Sequence, residues 1–323
     1  MASKKSRKNP AYKELQLIAL TFIITGLIIA TYLIQKPKEI RESSAQSTAA
    51  SKVYIGLGTG EVKVYNIITG KLPSLGDQGE TIFSMMKYGG KLFFGFAKGN
   101  VKAYNGTSWT TWANVGGNAA NVYSMEVFGN NLYIGQGLGI DGPSGQIMRY
   151  NGIAWTKLGS RGSMVTSMKA YNSKLYYAGT PGCVKSFKAG VWKDEFCFPN
   201  QSNYFVKDME VFDNKLFIGI KNVIYSHDGV GILIQGTLPA DIASFKVFKN
   251  KLYVSINNGY VYVFQNGTWV SVGDQGYKVA DMDTNGIKMY SIDGIDGMLK
   301  SYDGVKWVTL KDVGPGSQVL KFF

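Results

Sequence analysis

The chain has few residues suited to nucleophilic, acid–base or metal chemistry. It holds one histidine, His227 in YSHDGVG, and two cysteines, Cys183 and Cys197. A general acid–base role for His227 would need partners close in space. Its segment aligns with turn residues of other repeats, which favours a structural role. Cys183 and Cys197 flank an Ala189-Gly190 turn, and a hairpin centred there sets them opposite each other. In an oxidising compartment such a pair can form a local staple; otherwise the two remain thiols. Two acids, Asp208 and Asp281, recur at one position of a repeated segment, where Ser84, Ser124, Ser167, Ser244 and Val319 stand in the other copies. Small polar groups at such a position could line an axial channel, or could simply be small where strands converge. A glycan hydrolase or lyase would need two or more acids converging there, and Asp208 and Asp281 are the candidates. No residue set implies a cofactor or a metal.

The segment that repeats explains why these positions correspond. KLYVSINNGYVYVFQNGTWVSVG (251–273), KLFFGFAKGNVKAYNGTSW (91–109) and NLYIGQGLGIDGPSGQIMRYNGIAW (131–155) are variants of one sentence. Copies start at Lys52, Lys91, Asn131, Lys174, Lys215, Lys251 and Lys288, a mean spacing of about 39 residues, in the range of four-stranded propeller blades. Each copy has short, aromatic, β-branched runs with period-two alternation, which argue for strands. Asn-Gly or Asp-Gly at Asn105, Asn151, Asn266 and Asp303 marks a hairpin turn. The first copy lacks its first strand, and SQVLKFF (317–323) supplies one, Leu320 aligning with Met125 and Phe323 with Phe128. The ends therefore meet in one blade, leaving no open sheet edge. The expectation is an all-β, seven-bladed propeller of four-stranded blades over 51–323, closed by the C-terminal strand.

Residues 1–50 are different in kind. Leu17 to Ile34 carries no charge over eighteen residues, about the minimum for a spanning helix. The expected organisation is a basic cytoplasmic tail (1–16), a transmembrane helix (17–34) and a polar linker (35–50). An uncleaved anchor is the first reading and a cleaved signal peptide the other. Five basic residues precede the span and three follow it, which directs the propeller to the extracytoplasmic side. The net charge of +13 comes without a nucleic-acid recognition motif or an arginine-rich stripe, so lipid or envelope polymer is the expected use of that charge, with no nucleic acid as partner.

SYDGVKW (301–307) is similar to an Asp-box turn lacking one residue, and Gly89-Gly90 is comparable to the kelch glycine doublet. On these residues the repeats over 51–323 resemble prokaryotic surface β-propellers related to the kelch and Asp-box groups. The resemblance implies the fold; propellers host enzymes, binders and scaffolds alike.

Loop lengths divide the expected disc into two faces. Connections between first and second strands and between third and fourth hardly vary; the others do, and variable loops on a rigid scaffold are where recognition resides. Candidate binding residues on that face are Asp77, Gln78, Asp141, Ser144, Arg161, Gln201, Tyr204, Asp274 and Gln275. The uniform face carries Lys52, Lys91, Lys174, Lys215, Lys251 and Lys288, a ring that could meet anionic headgroups or serve only as solvated turn lysines. Trp109, Trp155, Trp192, Trp269 and Trp307 hold a fixed place on fourth strands, which argues for inter-blade packing. Asn105, Asn200 and Asn266 match the glycosylation sequon, two of them inside the NGT turn of the repeat. The functional expectation is a single-pass surface protein acting as a binding or scaffold module for an envelope protein or glycan, without chemistry of its own. The alternatives are a propeller enzyme using axial carboxylates and an accessory subunit of a larger membrane complex.

Overall fold

The computed structural model describes residues 50–117, 119–138, 145–162, 164–179, 182–198 and 206–323. The chain separates into two units, Met1–Thr48 and Ala49–Phe323, and every described residue belongs to the second. The expected tail, transmembrane helix and linker (1–49) lie outside the described residues. Among the described residues, no helix is long and apolar enough to cross a membrane.

The described strands form seven four-stranded antiparallel sheets. Six are continuous in sequence, and their innermost strands are Ile82–Tyr88, Asn121–Phe128, Val165–Tyr171, Val206–Phe212, Ile242–Phe248 and Val279–Thr284 (blades 2 to 7). Blade 1 is composite: the C-terminal strand Ser317–Phe322 pairs antiparallel with the first strand of the unit, Lys52–Leu57, setting Val53 opposite Phe322 and Ile55 opposite Leu320. The two ends of the propeller thus share one sheet, and the ring is closed by main-chain hydrogen bonds.

Sequence chemistry sets the strand turns. Gly89-Gly90, Gly129-Asn130, Asn172-Ser173, Asp213-Asn214 and Lys249-Asn250 all have both residues at positive φ, the two-residue geometry that matches strand twist. The third-to-fourth connections differ from the expected Asn-Gly hairpin turn. Ala189-Gly190 and Asn266-Gly267 are the two-residue turns there, each with both residues at positive φ. Asn105, Asn151 and Asp303 instead open four-residue loops, the side chain of each accepting two backbone N–H groups at 2.8–2.9 Å. Side-chain capping replaces the left-handed backbone at those positions.

Each sheet has two apolar faces, and hydrophobic clusters straddle the blade boundaries. Ile82, Met85 and Phe94 of blade 2 pack on Tyr54 and Val64 of blade 1, while Tyr290 and Ile292 of blade 7 pack on Ile55, Leu320 and Phe322 of blade 1. The glycine of the KLYIG-type strand is what lets neighbours approach. A Cβ on Gly135 would lie 2.4 Å from Val165 of the next blade, and one on Gly95 would lie 2.6 Å from Val122. The next blade's innermost strand therefore rests directly on backbone.

Five of the six tryptophans close the outer part of five blades. Tyr104, Tyr150, Phe187, Phe264 and Tyr302 lie at or one residue before the end of third strands, and each lies in register with the Trp of the following strand, ring centroids 4.4–4.9 Å apart. Trp269 and Trp307 also donate their indole N–H to carbonyls of the preceding blade, Gln235 and Val272. His227 occupies this aromatic position in blade 5, opposite Ile232. It is not the turn residue that alignment suggests, but a buried ring whose Nδ1 lies 2.8 Å from the Gly231 carbonyl and which packs edge to face with Tyr176 and tilted against Phe196.

Candidate functional site

All seven innermost strands line a central channel enclosing a cavity of about 260 Å³. Each of them slips register once against its neighbour, between Ile82 and Ser84, Val122 and Ser124, Val165 and Ser167, Val206 and Asp208, Ile242 and Ser244, Val279 and Asp281, and opposite Gly56-Leu57 in blade 1. A slip of this kind inserts one unpaired residue and bends the strand. The inserted residues are Phe83, Tyr123, Thr166, Lys207, Ala243, Ala280 and Gln318, and all line the channel.

The residue after each insertion is the polar position expected from sequence, and it works as a seam. The Ser84 hydroxyl donates to the Val122 carbonyl of the next blade at 2.9 Å, and that of Ser124 donates to Val165 at 3.2 Å. In blade 4 Thr166 takes this role, donating to Val206 at 2.6 Å, while Ser167 is buried beside it. The Asp208 carboxylate accepts the N–H of Phe245 in blade 6 at 2.7 Å and that of its own neighbour Met209 at 2.8 Å. The Ser244 hydroxyl donates to Asp281 at 3.2 Å, and Asp281 accepts from Leu320 of the closing strand at 3.0 Å and from Met282 at 2.8 Å. Val319 has no polar side chain to offer. Burial pushes Asp208 up to about 6 against the stabilising Phe245 N–H, and burial likewise raises Asp281. Both acids are thus bound to backbone amides across a blade boundary.

Two residues further along stands a second ring that sequence analysis misses. Met86, Glu126, Lys169, Glu210, Lys246, Asp283 and Lys321 succeed one another around the channel wall. From Glu126 onward the charges alternate in sign. Lys169 pairs with Glu210 at 2.7 Å, Lys246 pairs with Asp283, and Lys321 lies 3.9 Å from Asp283. Burial opposes the Lys169 ammonium, but Glu210 and Glu126 overcome it and hold it above the usual lysine range. Burial also opposes the Asp283 carboxylate, yet Lys321, Lys246 and the Phe322 N–H keep it below the usual range. Burial wins at Glu126, whose pKa is raised despite Lys169. The signal for this ring lies in the third residue of SMM, SME, SMK, DME, SFK, DMD and VLK.

Lys207 is the exception in the channel. Its ammonium has no ion-pair or hydrogen-bond partner among the described residues, and burial together with Lys278 lowers its pKa against the pull of Asp208 and Asp281. It shares the inserted level with an aromatic pair, Phe83 and Tyr123, centroids 5.0 Å apart.

The variable face is described in part. In both GDQG loops the glutamine N–H donates to a glycine carbonyl of the same blade, Gln78 to Gly60 and Gln275 to Gly259. The same glutamines accept a third-strand lysine of the next blade at their carbonyls, Gln78 from Lys102 at 2.8 Å and Gln275 from Lys300 at 2.6 Å. Asp77 and Asp274 each cap the loop glycine two residues on, at 2.7 and 2.8 Å, and are exposed. The Gln275 side chain is buried. Asp141, Ser144, Gln201, Tyr204 and Asn200, and the side chain of Arg161, lie outside the described residues.

On the uniform face, Lys52 and Lys251 are exposed and Lys91, Lys215 and Lys288 half-buried. Lys174 differs: it pairs with Glu195 at 2.7 Å, and Glu195 also accepts from Ser186 and Lys193. Burial opposes the Glu195 carboxylate, but these three donors bring it down to about 2. Cys183 and Cys197 face each other in register across the third and fourth strands of blade 4 and are disulfide-bonded.

No family model and no curated protein matches the chain. Among solved structures, it is similar to the computationally designed Ika8 protein at 18% identity, with a TM-score of 0.62, covering 84% of this chain and 87% of that one. It is similar to a chain of the Mitotic Checkpoint Complex at 17% identity, also with a TM-score of 0.62, covering 80% of this chain and 93% of that one. Likeness at such identities carries the fold alone, and with the closed ring of sheets it shows that the described residues form a seven-bladed β-propeller.

Proposed function

We propose that this propeller is a membrane-anchored, extracytoplasmic binding or scaffold module that engages an envelope protein or glycan through its variable-loop face. The observation that carries this reading is the asymmetry of the faces. Apart from the 67–73 connection of blade 1, one face is built from two-residue and four-residue turns. The opposite face bears connections of unequal length and sequence, such as GLGIDGPSGQ, CFPNQSNY and ANVGGNAAN. A rigid ring whose longest and most varied connections lie there has its individuality where recognition occurs.

Three further observations support it. The uncharged stretch at 17–34 is long enough to anchor the chain. The Cys183–Cys197 disulfide suits an oxidising compartment. Asp208 and Asp281, the acids an axial enzyme would use, hold backbone amides instead. The resemblance to surface propellers of the kelch and Asp-box groups belongs to the same reading.

The test is cross-linking of intact cells carrying the tagged full-length protein, with mass spectrometry of what co-purifies. A stoichiometric protein or a glycan linked through 137–146 or 197–204 is the expected result. Cross-links confined to the uniform face would overturn it.

A further inference from the structure

The uniform face has a second property besides its lysines. The four most exposed large apolar side chains among the described residues are Val230 (95%), Ile153 (88%), Val305 (86%) and Ile68 (79%). All four sit in third-to-fourth connections, so all project from this one face. Val191 in blade 4, beside its two-residue turn, and Ile287 in blade 7 add to them at 67% and 61%. On the opposite face the most exposed large apolar residue among those described is Leu138, at 57%. Scattered surface aliphatics need no explanation. These are not scattered: Ile153, Val230 and Val305 occupy one repeat position, directly after the turn glycine, and blade geometry brings them to one level.

The same face is basic. Lys52, Lys71, Lys91, Lys215, Lys251 and Lys288 have no carboxylate partner among the described residues. Of the facing acids, Asp228 and Asp303 are occupied with capping their own loops, and Asp213 is the other. The polypeptide also enters the propeller here, at Ser51-Lys52. Aliphatic tips set among unpaired lysines have the composition of surfaces that lie in a bilayer interface, the apolar groups among headgroups and the ammoniums on phosphates. We propose that this face docks directly on an anionic lipid bilayer, independently of what the variable face binds.

Residues 50–323 contain every described strand of the closed ring, so that segment can be tested without the N-terminal region. The measurement is co-sedimentation with vesicles of neutral phosphatidylcholine, with or without about one-third phosphatidylglycerol, at low and high salt. The repeats themselves supply safe substitutions. Thr107 and Thr268 stand at the tip position in other blades, and Asn131 stands at the lysine position. The variants are therefore Ile153→Thr/Val230→Thr/Val305→Thr and Lys91→Asn/Lys215→Asn/Lys251→Asn. Expected are binding to anionic vesicles only, weakening with salt, and loss in both variants. Each lysine is worth roughly fivefold in partitioning, so the lysine variant loses up to about a hundredfold. Equal binding to neutral and anionic vesicles, or no binding at low salt, overturns the proposal. Undiminished binding by the threonine variant overturns the insertion of the tips.

Discussion

Asp283 is where the ring closure is most exposed to a single substitution. It is buried, it accepts the N–H of Phe322 in the closing strand at 3.0 Å, and it faces Lys246 of blade 6 and Lys321 of blade 1. Asp283→Asn keeps the shape and one acceptor for Phe322 but leaves two ammoniums on the channel wall without their carboxylate. Removing one member of a buried pair costs about 3–5 kcal/mol, a large part of the stability of an ordinary domain. For a domain of this size that is on the order of 10 °C in melting temperature. Thermal and urea unfolding of 50–323 reads it directly. The control is Lys246→Met in the same background, which copies Met86 at the equivalent position and removes one stranded charge; it should recover a substantial part of the loss. The pH dependence has a definite sign. The folded carboxylate is held below its usual range, so its contribution is complete above the unfolded value near 4 and fades as pH falls through the lower folded value. The gap between wild type and Asp283→Asn should therefore close in acid. A melting temperature within 2 °C of wild type, ~1 kcal/mol or less, or no recovery with Lys246→Met, would refute the account of the closure.

Asp208 should behave in the opposite sense. Its pKa is pushed up to about 6, so the folded state holds a proton that the unfolded state releases between about pH 4 and 6, and stability gained from it rises as pH falls. Relative to Asp208→Ser, which follows the serine of other blades, wild type should gain up to about 3 kcal/mol between pH 7 and 4; parallel pH profiles in denaturant titrations would contradict this. Reducing the Cys183–Cys197 bond, which spans 14 residues, should lower stability by about 3 kcal/mol. Melting with and without reductant measures it, and the Cys183→Ser/Cys197→Ser variant should be indifferent to reductant.

Repetition makes most of the fold legible from the amino-acid sequence. Blade number, strand order and the composite first blade all follow from aligning seven copies, because each copy must satisfy the same neighbours. The seam at Ser84, Ser124, Asp208 and Asp281 is visible there as a position but not as a function: alignment shows that these residues are small and polar, not that the next blade's backbone is within reach of them. The alternating ring escapes alignment for a different reason. Column alignment rewards sameness, and Glu126, Lys169, Glu210 and Lys246 look like variation. Their common property is opposition to the adjacent blade, a relation between copies. His227 is misread as a turn residue because YSHDGVG resembles a turn, whereas main-chain register sets it opposite Ile232.

The number of blades also explains why the charged ring has one neutral member. Signs can alternate without conflict around an even ring, but around seven positions two like charges must meet somewhere if every position is charged. The chain places six charges and one methionine. Reading from blade 3, the order is Glu126, Lys169, Glu210, Lys246, Asp283 and Lys321, and Met86 of blade 2 falls between Lys321 and Glu126. A glutamate at 86 would face Glu126, and a lysine would face Lys321. Either would place like charges side by side where burial already raises Glu126. An unbranched apolar side chain avoids the conflict without leaving a gap. The inner wall of this propeller is thus organised around keeping seven blades in a closed ring. Lys207 stands apart as a channel charge without a partner among the described residues, whereas the seam residues and the charged ring bind neighbouring blades.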